Sequence, residues 1–189
     1  MKKNYILLGP PGAGKGTQGP ILSKKSELPH ISTGDMLRSA MKAGTELGNK
    51  VKAIVDAGHL VSDEMMISII EERINKDDCV KGFILDGFPR TIPQAESLNQ
   101  MLERKSEILT HAILFDIKQE TLMSRLEGRR KAENRVDDSI DTQKERLRVY
   151  DINTAPLIKF YEENKKLLKI DSEGSVEEVT ANLFKGLGI

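Results

Sequence analysis

Cysteine is nearly missing: Cys79 is the one such residue among 189. A single thiol excludes an intramolecular disulfide and any zinc site built from several cysteines. It is expected to sit buried as a small hydrophobe. Net charge is missing too, because 29 Lys and Arg balance 29 Asp and Glu. No global basic field therefore recruits DNA, RNA or an anionic membrane. No apolar run is long enough to span a bilayer. Met1-Lys2-Lys3-Asn4 runs straight into a strand-like segment, with no signal or transit peptide read there. The default expectation is a cytoplasmic location. Internal repeats and low-complexity tracts are absent as well. A chain of this length buries one good core with small insertions, not two full domains.

What is present begins at residues 9–17, Gly-Pro-Pro-Gly-Ala-Gly-Lys-Gly-Thr, directly after the apolar run Tyr5-Ile6-Leu7-Leu8. A short strand, a glycine-rich loop and Gly-Lys-x-Thr together make a phosphate cradle. Glycines such as Gly12 and Gly14 let consecutive N–H groups turn inward on one oxyanion, with Ala13 between them. A helix opening near Lys15 aims its unpaired N–H groups at the same anion. Lys15 is then placed for the β- and γ-phosphates of a nucleoside triphosphate, and the Thr17 hydroxyl for Mg²⁺. Gly16 occupies the position where many such loops carry Ser or Thr, which moves the hydroxyl to Thr17. The strand in front and the helix behind separate this motif from an ordinary glycine turn.

Further strand-like runs are His30–Ser32, Gly82–Leu85, His111–Phe115 and Leu167–Ile170, with helical periodicity between them. That alternation predicts a parallel sheet with helices on both faces. One helix groups Leu47, Val51, Ile54 and Val55 and ends at Gly58; another opens at Ser62 and turns Met66, Ile69, Ile70 and Ile74 inward. The last opens with the capping box Ser175-x-x-Glu178. Pro156 is expected to break or kink the helical stretch from about Ser139 to Asn164.

Gly82-Phe83-Ile84-Leu85-Asp86 is an apolar strand ending in a carboxylate. Asp86 fits a Mg²⁺ near the phosphate loop, and it equally fits the start of a turn before Gly87. Six arginines stand out: Arg38, Arg90, Arg125, Arg129, Arg135 and Arg146. Two polyphosphates brought together repel, and guanidiniums cancel that charge with bidentate contacts. Solvated helix faces with i,i+4 pairs account for Lys131, Glu133, Lys144 and Arg148. Spacing alone does not assign the six.

Nearly the whole chain resembles the adenylate kinases, which interconvert ATP plus AMP with two ADP. The resemblance lies in Gly9–Gln18, Leu28–Arg38, Gly58–Glu64, Gly82–Gln94, Arg125–Arg129, Asn134–Asp138 and Thr154–Tyr161; Leu85-Asp86-Gly87-Phe88-Pro89-Arg90-Thr91 is the most specific stretch. It implies an α/β fold of the P-loop NTPase type, a parallel five-stranded sheet flanked by helices. A core of residues 1–31, 62–127 and 139–189 would carry a helical NMP-binding insert at 32–61 and a short lid at 128–138.

Roles follow from the same resemblance. ATP would lie on Gly12, Ala13, Gly14, Lys15, Gly16 and Thr17, with Arg125, Arg129 and Gly174 about its phosphates, adenine and ribose. AMP would contact Thr33, Arg38, Leu60, Val61, Met66, Gly87, Arg90 and Gln94, with Arg135 and Arg146 reaching its side as well. Gln94 would read the adenine edge, since its amide offers a donor and an acceptor together. Lys15, Arg90, Arg125, Arg135 and Arg146 would carry the catalytic charge. Thr17 and Asp86 would hold Mg²⁺, partly through water, and no zinc is expected. A monomer is expected, with ATP, AMP and ADP as partners and neither nucleic acid nor membrane.

Three departures from the family pattern stand out. Gly19-Pro20 lies in the helix after the phosphate loop, and Pro20, unable to donate to the Gly16 carbonyl, is expected to deform it locally. The stretch between Gly128 and Asp138 is short and free of cysteine, as in the short-lid form. His59 stands where Lys is common, with little effect expected; His30 and His111 are read as structural. A UMP/CMP kinase is the alternative on the same fold, but Thr33 and Gln94 speak for AMP. A non-catalytic nucleotide-binding scaffold is the other, and it would have lost Lys15, Asp86 or several arginines.

Overall fold

The computed structural model describes residues 2–133 and 139–189, without the side chains of 129–133. Arg135, expected on the lid, therefore lies outside the described residues, and of Arg129 only the backbone is described.

Five strands form one parallel sheet: β1 (Lys3–Leu8), β2 (His30–Ser32), β3 (Gly82–Asp86), β4 (His111–Asp116) and β5 (Leu167–Asp171). Their spatial order is β2-β3-β1-β4-β5. β1 pairs with β3 through Leu7↔Asp86 and with β4 through Leu8↔Leu114. The chain leaves β1 toward one edge and later fills the other edge with β4 and β5. The carboxyl end of β1 is thus the switch point where ligands of such sheets lie.

Strand residues alternate between two cores, which is why whole strands read as apolar. Ile6, Leu8, Phe83 and Leu85 face a cluster with Met66, Ile70 and Ile74 of α4 (Asp63–Ile74), Leu98 and Leu102 of α5 (Ile92–Arg104), and Leu157 and Tyr161 of α8 (Pro156–Glu163). Tyr5, Leu7, Ile84 and Phe115 face Leu22 of α1 (Lys15–Ser26) and Val179 and Leu183 of α9 (Val176–Leu187). Each fully buried Leu, Ile or Phe contributes about 1.5–3 kcal/mol, so both layers of helices stabilise the sheet between them. Cys79 is buried in the first cluster.

Between β2 and α4 the chain forms a helical pair, α2 (Thr33–Lys42) and α3 (Glu46–Asp56). Side chains cap both: Ser32 Oγ accepts from Asp35 N–H, and Thr45 Oγ1 from Gly48 N–H. Ser62 caps α4 through Met65 N–H, and Ser175 with Glu178 forms the capping box of α9. α6 (Gln119–Glu133) carries its backbone through Gly128 into the stretch expected as lid.

Pro156 acts as expected. α7 (Ile140–Val149) passes into a π-helical turn, Tyr150–Thr154, and α8 begins at Pro156. α1 continues through Pro20 without interruption. The proline ring meets the i−4 carbonyl of Gly16, and both residues are exposed, so water can serve that carbonyl. Among the described residues no helix is long and apolar enough to cross a membrane.

Candidate active site

Gly14 makes the phosphate loop possible. It precedes α1 at φ 100° and ψ 4°, a left-handed conformation open to glycine, and no side chain caps the helix there. The loop closes on itself as Ala13 N–H donates to Pro10 O and Gln18 N–H to Gly14 O. The positive end of α1 then faces the loop. Lys15 Nζ reaches back along it, donating to Gly9 O at 2.6 Å and Pro10 O at 3.0 Å. Ala13 is fully buried and its carbonyl accepts from Ser172 Oγ at 2.7 Å, so its side chain packs in the core away from the cleft.

Beyond the loop a cleft of about 750 Å³ runs to α2, α4 and α7. Into it come Gly12, Gly14, Lys15, Gly16, Thr17, Thr33, Arg38, Leu60, Val61, Met66, Asp86, Gly87, Arg90, Gln94, Arg125, Arg146 and Gly174. Residues expected for the two nucleotides from widely separated stretches thus share one wall. The size fits small-molecule sites, which span roughly 300–1,000 Å³.

At the phosphate-loop end of the cleft, Arg125 of α6 is pinned by the loop between β5 and α9. Its Nη2 donates to Ser172 O at 2.9 Å and Gly174 O at 3.0 Å. Ser172 therefore clamps both the phosphate loop and Arg125, a role its sequence surroundings do not signal. On the opposite side, Arg90 follows β3 and donates from Nε to Gly87 O at 2.8 Å. Burial holds its guanidinium below the usual range; the Asp86 carboxylate opposes this, and the nearby Arg146 and Arg38 guanidiniums reinforce it. Arg38, Arg90 and Arg146 come from α2, the β3–α5 loop and α7, so the fold gathers like charges that a bound anion can relieve. Arg38 also donates to Asp35 Oδ1 at 2.6 Å. Burial, with Asp151 and Asp116 adding, pushes the Tyr150 phenol up to about 12, and Tyr150 also lines the cleft.

Asp86 ends β3 and is 9 % exposed, its Oδ2 lying 3.5 Å from His30 Nε2. Its carboxylate and the Thr17 hydroxyl open into the same cleft. Both are hard oxygen donors of the sort Mg²⁺ takes. Among the described residues there is no cluster of three or more His, Cys, Asp or Glu able to hold a metal alone.

Cationic groups on both sides of one cleft, one set built on a phosphate loop, define a P-loop phosphotransferase. The family model described as Adenylate kinase matches residues 7–166. The chain is 45% identical over 183 residues to an adenylate kinase of Xanthomonas euvesicatoria pv. vesicatoria, covering 97% of this chain and 98% of that one. It is 46% identical over 211 residues to an adenylate kinase of Kosmotoga olearia, with the same coverage, and 42% identical over 182 residues to one of Stenotrophomonas maltophilia, covering 96% and 97%. The chain belongs to the adenylate kinase family.

Proposed function

We propose that this enzyme transfers a phosphoryl group reversibly from ATP to AMP, giving two ADP, with Mg²⁺. The observation that carries the reading is the arginine trio Arg38, Arg90 and Arg146 sharing a cleft with the Lys15 loop. Lys15 and the loop N–H groups hold the donor's β- and γ-phosphates, Arg125 reaches the donor from the α6 side, and Arg38 and Arg90 clamp the AMP phosphate. Arg146 lies between and serves both. Arg129 and Arg135 complete the donor side from the stretch 128–138. Thr33, Met66 and Gln94 meet the AMP base, and the backbone of Leu60 and Val61 lies beside it.

Thr17 and Asp86 would hold Mg²⁺, partly through water; when bound it neutralises charge on the donor phosphates. No general base is needed, because a phosphate monoester has its second pKa near about 6 and is largely ionised at neutral pH. The chain's contribution is alignment and charge cancellation in a cleft that excludes water, the wasteful acceptor. Every group named belongs to one chain, so a monomer suffices. We place it in the cytoplasm, where a lone reduced thiol such as Cys79 is at home.

A coupled assay of ADP production across AMP, CMP, UMP and GMP tests this. AMP should be the preferred acceptor, and ATP hydrolysis without acceptor should be far slower. ATPase activity that AMP leaves unchanged would overturn the reading, and preference for UMP or CMP would reassign the acceptor.

A further inference from the structure

Asp63, in the first turn of α4, and Gln94, in the first turn of α5, are 31 residues apart and touch. Asp63 Oδ1 accepts from Gln94 Nε2 at 2.8 Å and from Thr91 Oγ1 at 3.0 Å. On the other side of the same amide, Gln94 Oε1 accepts from the Arg90 backbone N–H at 2.7 Å. A backbone N–H only donates and a carboxylate only accepts, so these partners permit one orientation of the amide. Reversing it would set N–H against N–H and oxygen against carboxylate. Gln94 is 2 % exposed, which leaves no solvent to relieve either clash. We propose that Asp63 is a specificity-determining positioning residue: together with the Arg90 N–H it fixes the direction of the Gln94 amide, and it is the side chain through which the acceptor site's choice of base edge can be changed. This rests on the reading of Gln94 as the base contact.

An amide has two N–H donors and two oxygen lone pairs. One of each is already used, and one of each remains for the base. Adenine presents an exocyclic N–H beside a ring acceptor, which complements a fixed oxygen beside a fixed N–H. Cytosine presents the same order. Hypoxanthine, guanine and uracil present a carbonyl beside a ring N–H, the reverse order, and would need the amide turned over. Asp63 therefore discriminates by order of donor and acceptor. It should reject IMP, which has nearly the size of AMP, and should be indifferent between AMP and CMP, which size must separate.

The test compares kcat/KM for AMP, IMP and CMP in the wild-type enzyme, Asp63→Asn, Asp63→Ala and Gln94→Ala. The side-chain amide of Asp63→Asn can donate to a reversed Gln94 while the Arg90 N–H still opposes reversal, so the AMP:IMP ratio should fall by roughly threefold to tenfold. The AMP:CMP ratio should stay within about twofold. Asp63→Ala should lower AMP:IMP by a smaller factor. Both ratios falling together in Asp63→Asn would mean a merely loosened cleft and would overturn the proposal. An unchanged AMP:IMP ratio in both Asp63 variants, with a change in Gln94→Ala, would also overturn it. No change in Gln94→Ala would instead sink the base-contact reading beneath it. Should the Asp63 variants fail to fold, the wild-type enzyme still decides: NMR should show one Gln94 Nε2 proton exchanging slowly with water, and rapid exchange of both would refute the lock.

Discussion

If the loop holds the donor's phosphates, Lys15 is the side chain on which turnover should depend most directly. Its Nζ rests on two loop carbonyls, and phosphate oxygens would compete for it with a stronger, charge-assisted bond. Lys15→Met keeps the stem and removes the charge, so kcat should fall by about 10²–10³-fold or more, as for loss of one oxyanion-type donor. Melting temperature should hardly move, since the loop conformation is set by Gly14. Near-normal turnover would show that the charge is not used. Gly19 poses a different question, that of space. A Cβ there would overlap the His30 imidazole, whose buried Nε2 has no hydrogen-bond partner among the described residues. Gly19→Ala should gain about 1 kcal/mol of helix propensity and lose about 1–3 kcal/mol to overpacking. Denaturant unfolding should therefore show a net loss in the native background and a net gain in His30→Ala. The same sign in both backgrounds would mean that the two residues do not compete for space.

At the scale of elements, α1 carries a conflict that the rest of the fold tolerates. Pro20 leaves the Gly16 carbonyl without its intrahelical donor while the helix runs on to Ser26. Pro20→Ala restores that bond and should stabilise the protein by about 1–3 kcal/mol. At about 2–4 °C per kcal/mol for a chain of this size, the melting temperature should rise by roughly 2–12 °C; a fall would mean that the ring itself packs. The five strands, the two-layered core and the break at Pro156 were legible in the sequence because apolar period and proline chemistry are local; the π turn that makes the break was not. The phosphate loop was legible for the same reason, since its glycines and Lys15 are contiguous. Local pattern does not reach across the chain. Ser172 clamping Ala13 and Arg125 is a matter of loop approach, and the pairing of Asp63 with Gln94 joins the starts of two helices far apart in the chain. The exposed faces of Gly16 and Pro20, which let α1 continue, likewise belong to the packed molecule.

For the whole molecule, the decisive feature is that α7 already touches the end of the α2–α3 pair and the loop after it. Thr142 Oγ1 of α7 lies 3.5 Å from Asp56 O at the end of α3, and Glu145 Oε1 lies 3.2 Å from His59 Nε2. Arg38, Arg90 and Arg146 repel one another across this junction. Anions bound between them remove that repulsion, so nucleotide on both sides should draw the elements together. A mimic joining two adenosines through a polyphosphate satisfies both sides at once and should bind far more tightly than either nucleotide alone. At 1,000 times its dissociation constant it stabilises the fold by about 4 kcal/mol, a rise of roughly 8–16 °C in melting temperature. The movement can be read separately, with labels on Lys50→Cys in α3 and on a cysteine placed in the last turn of α6, because the native Cys79 is only 5 % exposed. The distance should shorten when the mimic binds and change less with ATP or AMP alone. Equal distances with and without the mimic, alongside a raised melting temperature, would mean that the cleft binds both nucleotides without closing, and that water is excluded by fit alone.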